Sequence, residues 1–122
     1  MITEDYVSFE VAKLLKEKGF NEYCLKNYWS SDKELHDWKW KLSYNRNSDG
    51  NCNTKDCAAP TLQMAMKWLR EKDVRICPDY SDVDGKWFAM IGTKKKRTYS
   101  GYYDTYEEAV EATLKYALEN LI

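Results

Sequence analysis

Histidine is almost absent from this chain, proline and phenylalanine are scarce, and neither sign of charge dominates. One histidine, His36, stands among 122 residues. A His-based nucleophilic pair or metal cage would therefore have a single imidazole to draw on. Five glycines are too few for a phosphate-cradling loop. The 19 basic and 20 acidic side chains nearly cancel, to a net −1, which excludes a histone-like polycation but leaves room for a local basic patch. No apolar run approaches the roughly 20 residues that cross a bilayer. The opening Met1-Ile2-Thr3-Glu4-Asp5 is acidic with no apolar stretch behind it, so it does not read as a signal peptide, and the expected compartment is the cytoplasm, away from membranes. What the chain does have is 43% hydrophobic and 32% charged residues, with 10 Tyr and 5 Trp against 3 Phe. That composition closes a core and excludes disorder throughout. The length predicts one domain spanning 1–122.

Four cysteines, Cys24, Cys52, Cys57 and Cys77, are expected as free thiols of a reducing compartment. Cys52 and Cys57 have four residues between them, at the edge of zinc-ligand spacing. A structural zinc site usually needs a second such pair, so no metal and no cofactor is expected.

The hydrophobic periodicity predicts an α+β fold in the order α-β-β-α-β-β-β-α, an antiparallel sheet with helices packed on one side. Ser8 caps a first helix whose Val11, Leu14 and Leu15 share a face; Gly19 ends it, with Phe20 folding back. Tyr23 to Trp29 and His36 to Tyr44 form a hairpin about a turn at Ser30–Lys33. The second of these strands alternates cleanly, Trp38, Trp40, Leu42 and Tyr44 on one side. A polar loop follows, Asn45 to Asp56. Pro60 opens the second helix, with Leu62, Ala65, Met66, Trp68 and Leu69 inward. Val74 to Tyr80 is a strand that lies at an edge or finishes at Pro78, which has no N–H for a ladder. Lys86 to Gly92 turns Trp87, Ala89 and Ile91 to one face. Arg97 to Tyr103 completes the set, with Gly101 marking a bulge. Thr105 and Glu108 box the start of a last helix, whose core face reads Tyr106, Ala109, Val110, Thr113, Tyr116, Ala117 and Leu121.

No Walker loop, dinucleotide fingerprint, nucleophile elbow or zinc-protease helix occurs, and the carboxylates fall in turns or on solvated helix faces. The chain therefore reads as no enzyme. Two surfaces carry binding chemistry. From Lys86 to Tyr103 there are five basic residues, Lys86, Lys94, Lys95, Lys96 and Arg97, and no acidic one, interleaved with Trp87, Tyr99, Tyr102 and Tyr103. Cations beside rings suit phosphates and bases; a lysine-rich tip also simply blunts a sheet edge. The second surface is the first hairpin, where Trp29, Trp38 and Trp40 are either core or a contact for a protein partner or a second copy.

Two resemblances add expectations. Gly85-Lys86-Trp87-Phe88-Ala89-Met90-Ile91, the basic turn and Gly101-Tyr102-Tyr103-Asp104-Thr105-Tyr106-Glu107-Glu108-Ala109 are similar to AP2-type and phage-integrase arm-binding domains. This implies a three-stranded sheet on one helix, the sheet entering the DNA major groove, with Lys86, Trp87, Lys94, Lys96 and Arg97 facing DNA. The first strand departs from that family: it has one Arg and an acidic end where the family is richly basic. Lys13-Leu14-Leu15-Lys16-Glu17-Lys18-Gly19-Phe20, Ala59-Pro60-Thr61-Leu62-Gln63, Lys67-Trp68-Leu69-Arg70-Glu71 and Tyr106-Glu107-Glu108-Ala109 resemble a group of short uncharacterised proteins of gut anaerobic bacteria, their phages and mobile elements. That resemblance implies a small cytosolic protein and supplies no catalytic residue. The expectation from the sequence is a non-enzymatic protein-interaction module; the alternative is a nucleic-acid-binding domain using the 86–103 hairpin.

Overall fold

Two of the helices start where a hydroxyl replaces a missing backbone partner. Ser8 Oγ accepts the Val11 amide at 3.2 Å and begins α1 (Phe9–Glu17). Thr105 Oγ1 accepts the Glu108 amide at 3.1 Å, donates to Glu108 Oε1 at 3.0 Å, and begins α3 (Tyr106–Asn120). α1 ends as its sequence predicts. Gly19 takes φ +92°, the Phe20 amide reaches back to the Leu15 carbonyl at 2.9 Å, and the Phe20 ring is buried.

The computed structural model describes residues 2–37, 46–48 and 56–122. The chain forms two compact units, 1–61 and 62–122. The first holds α1 and the strands β1 (Lys26–Tyr28), β2 (Leu35–Asp37) and β3 (Cys57–Ala59); the second holds α2 (Leu62–Glu71), β4 (Arg75–Ser81), β5 (Lys86–Gly92), β6 (Arg97–Tyr99) and α3. The α+β class and the antiparallel pairing agree with the sequence reading, but the strands form two three-stranded sheets, β2-β1-β3 and β4-β5-β6.

In the first unit β1 and β2 make the expected hairpin, Lys26 opposite Asp37 and Tyr28 opposite Leu35. The expected strand over His36–Tyr44 is described only to Asp37; Trp38 and Trp40 lie outside the described residues. β3 is not anticipated by the sequence. Cys57, Ala58 and Ala59 are all buried, and a strand buried on both faces has no alternation to read. Asn47 ties this unit together. Its amide donates to the Phe20 carbonyl and its side-chain oxygen accepts the Ala58 amide, each at 2.8 Å. Tyr28 contributes a second tie, its hydroxyl donating to the Val7 carbonyl at 2.5 Å.

In the second unit α2 lies against β4 and α3, and α3 lies against β4 and β5. Leu62, Ala65, Met66, Trp68 and Leu69 are buried, as their spacing predicts. In α3 the buried stripe is Ala109, Val110, Thr113, Leu114, Ala117 and Leu118. The spacing alone puts Tyr106, Tyr116 and Leu121 on this face and leaves out Leu114 and Leu118. The correction is physical. Small residues at 109, 113 and 117 let the helix sit close, the adjacent row of branched residues fills the gap, and the Tyr116 phenol turns to water.

Pro78 stands in edge strand β4, where it was expected. Its partner Ala89 directs both its N–H and its C=O to Ser100, on the β6 side. Pro78 therefore faces outward, where its missing N–H breaks no rung of the ladder. The third strand is shorter than its expected 97–103. It stops at Tyr99, and pairing resumes as an isolated bridge between Trp87 and Tyr103. Ser100 Oγ fills the interruption, accepting from Ala89 N at 2.9 Å and donating to the Gly101 carbonyl at 2.8 Å.

Candidate functional site

Alternation along three paired strands sorts the side chains of the β4-β5-β6 sheet onto two faces. Ile76, Ala89 and Ile91 are buried beneath the helices. By the same period Cys77, Asp79, Phe88, Met90 and Tyr99 take the other face. Cys77 is opposite Met90, Asp79 opposite Phe88, and Met90 opposite Tyr99. Trp87 belongs with the buried set. It is half-buried, its ring edge-on to Tyr80 at 5.1 Å and to Tyr106 at 5.5 Å.

The open face carries a ring cluster and a graded charge. Phe88 lies 6.1 Å from Tyr99 and 5.8 Å from Tyr102, centroid to centroid. Tyr99 is 66% and Tyr102 58% exposed, although each ring lies against Phe88. At one end Arg75, Gly92 and Arg97 are in register across the three strands. With no side chain at Gly92, the two arginines meet there: a Cβ would stand 3.7 Å from Arg75 Nη2 and 3.9 Å from Arg97 Cγ. Arg75 also bonds Asp73 at 2.5 Å. The β5–β6 turn adds Lys94, Lys95 and Lys96, all exposed. Thr93 shapes that turn, its Oγ1 accepting the amides of Lys95 and Lys96 at 3.3 Å. No ion pair among the described residues engages Lys94 to Arg97. At the opposite end the β4–β5 turn holds Asp82 and Asp84, and Asp79 lies nearby on β4.

The sequence candidates therefore divide. Lys94, Lys95, Lys96 and Arg97 gather at one end of the open face. Trp87 is turned to the helix side. Lys86 sits toward the acidic end and is bonded to Asp104 at 2.5 Å. That bond raises the lysine's pKa and lowers the aspartate's, so each holds the other's charge in place. The sequence reading missed Phe88, Met90 and Arg75. The signal was present: if Trp87, Ala89 and Ile91 point inward, Phe88 and Met90 must point outward.

Trp29, in the first unit, is stacked on His36 at 3.7 Å, and His36 Nε2 is 2.8 Å from Asp32 Oδ2. Asp32 is held below the usual carboxylate range, first by the Glu34 amide and then by His36. Tyr23, Leu25 and Trp29 are all exposed.

Burial pushes the Cys24 thiol up to about 12 and raises that of Cys57, so both keep their protons at neutral pH. No group of three His, Cys, Asp or Glu side chains placed to hold a metal ion occurs among the described residues. No helix among them is long and apolar enough to cross a membrane.

Comparisons with protein-family models, with curated proteins and with solved structures each give no match to this chain.

Proposed function

We propose that the protein is a non-enzymatic binding module that holds nucleic acid on the open face of the β4-β5-β6 sheet. One observation carries this reading: two exposed rings, Tyr99 and Tyr102, each against the half-buried Phe88, share a face with a cluster of exposed cations at the β5–β6 turn. Rings stack on bases and cations neutralise phosphates. The near-neutral chain supplies no long-range attraction, so the local cluster must supply the affinity.

The test is oligonucleotide binding across a salt series. Affinity should fall as salt rises, with a log–log slope near −0.7 to −0.9 per phosphate neutralised. Replacing Lys94, Lys95 and Lys96 by Glu should abolish binding without lowering the melting temperature. Binding indifferent to salt, or to that charge reversal, removes the reading.

A second reading keeps the expected protein-interaction module. It is favoured by Tyr23, Leu25 and Trp29, three exposed apolar side chains within one short segment. A second copy of the chain is the simplest partner, and sedimentation of the wild type against Trp29→Ser decides it. A monomer at every concentration counts against this reading.

A further inference from the structure

We infer that the nucleic acid held on this face is single-stranded: unpaired bases stack on Phe88, Tyr99 and Tyr102, and the adjoining phosphates meet Arg97 and the lysine turn. The inference rests on the nucleic-acid reading above and narrows it to a ligand class.

Three features of the face select against a duplex. First, its rings offer stacking. A duplex buries the faces of its bases and shows a protein only base edges and phosphates, whereas a single strand has free base faces. Tyr99 and Tyr102 are 66% and 58% exposed and beside Phe88, so a base can reach them without any rearrangement of the core.

Second, the centre of the face has no amide, guanidinium or ammonium donor for the base-edge acceptors of a duplex. The bidentate contacts that read guanine and adenine in the major groove come from guanidinium, ammonium and amide donors. Here the middle is Phe88 and Met90, opposite Asp79 and Cys77. A duplex pressed on this surface would leave base-edge acceptors facing phenyl and thioether groups, and buried polar groups without partners are costly.

Third, the charge runs from one end to the other. A B-form major groove is about 12 Å wide and flanked by two phosphate backbones. β4 and β5 each span seven residues, about 23 Å at the usual rise per residue. A duplex laid over them would set one backbone near the Arg97 end and bring the other toward Asp79, Asp82 and Asp84. A single strand has one backbone, and it can follow the basic end alone.

The experiment compares a short fluorescein-labelled oligothymidylate, its RNA counterpart and a blunt DNA duplex at low salt, with the full chain. Either single strand should bind at least tenfold more tightly than the duplex. The Tyr99→Ala/Tyr102→Ala double variant should lose about tenfold in single-strand affinity, as removal of stacked rings does. The Tyr99→Phe/Tyr102→Phe variant should retain it, and all three proteins should melt alike. On the wild type, photocrosslinking of a 5-bromouracil-substituted strand should map to Tyr99 or Tyr102. A duplex bound as tightly as the single strand, full affinity in the alanine variant, or crosslinks confined to residues 2–37 would each overturn the single-strand inference while leaving nucleic-acid binding in place. No binding of any oligonucleotide at low salt would remove both.

Discussion

The two faces of the second sheet are built from the same strands and do opposite things. Ile76, Ala89 and Ile91 are sealed under helices; Phe88 and Met90, on either side of Ala89 in the chain, and Tyr99, paired with Met90, are not. The contrast teaches that apolar content does not tell a core from a contact surface in a short strand. What separates them is the parity of position and the presence of a covering helix. The inner face secures the fold, and the outer face stays open.

Substitution on the inner face should be the most damaging. Ile91→Ala, at a residue 2% exposed, is expected to cost about 2–5 kcal/mol in urea unfolding; a loss under about 1 kcal/mol would mean that α3 does not hold this face closed. Next is the helix that does the covering. Thr105→Ala removes the α3 cap and should cost about 1 kcal/mol, with Thr105→Ser close to wild type.

Much of this contrast is legible in the sequence. The limits of β5, the capping box at Thr105 and the edge position of Pro78 all follow from local chemistry. So does the inward placing of Trp87, which by itself should have removed that residue from the DNA-facing candidates. Three features needed tertiary information. β3 has no period, because all three of its residues are buried. Arg75 joins Arg97 only through the register that β5 imposes between them. The ring cluster forms from Phe88, Tyr99 and Tyr102, whose proximity depends on the strand break at Ser100–Gly101. Sequence reasoning finds what a segment prefers, and a site assembled from three segments lies beyond it.

Thiol chemistry offers a milder probe of the same contrast. Cys77 is exposed on the open face, whereas Cys24 and Cys57 are buried. Limited labelling at pH 8 followed by peptide mapping should mark Cys77 and spare Cys24 and Cys57 until the protein is unfolded. Because the Cys24 pKa rises from 9.0 to about 12 on folding, the stability its neutral form contributes is complete below pH 9. It is lost as pH climbs from there toward 12, and Cys24→Ala should flatten that alkaline limb. Protection of Cys77 equal to that of Cys24 would show the open face to be covered.

The smallest effect belongs to the surface pair. Asp104 is lowered, so its contribution is present above the usual carboxylate range and fades as pH falls through its folded value; Lys86 is raised, so its contribution persists to high pH and fades above 10.5. Asp104→Asn should slightly weaken the acid limb of stability at low salt and change nothing at high salt, because both groups are in water.

The margin of the sheet at Pro78 has a consequence for self-assembly. Pro78 offers no donor outward, and the next outward donor, the Tyr80 amide, is already held by the Asp79 carboxylate at 2.8 Å. Strand addition is thereby discouraged along β4 and left to the short β6 margin. Two molecules joined there would present only the proline-blunted β4 margins of this sheet to a third, so association through this sheet would stop at a closed pair instead of propagating into a fibre.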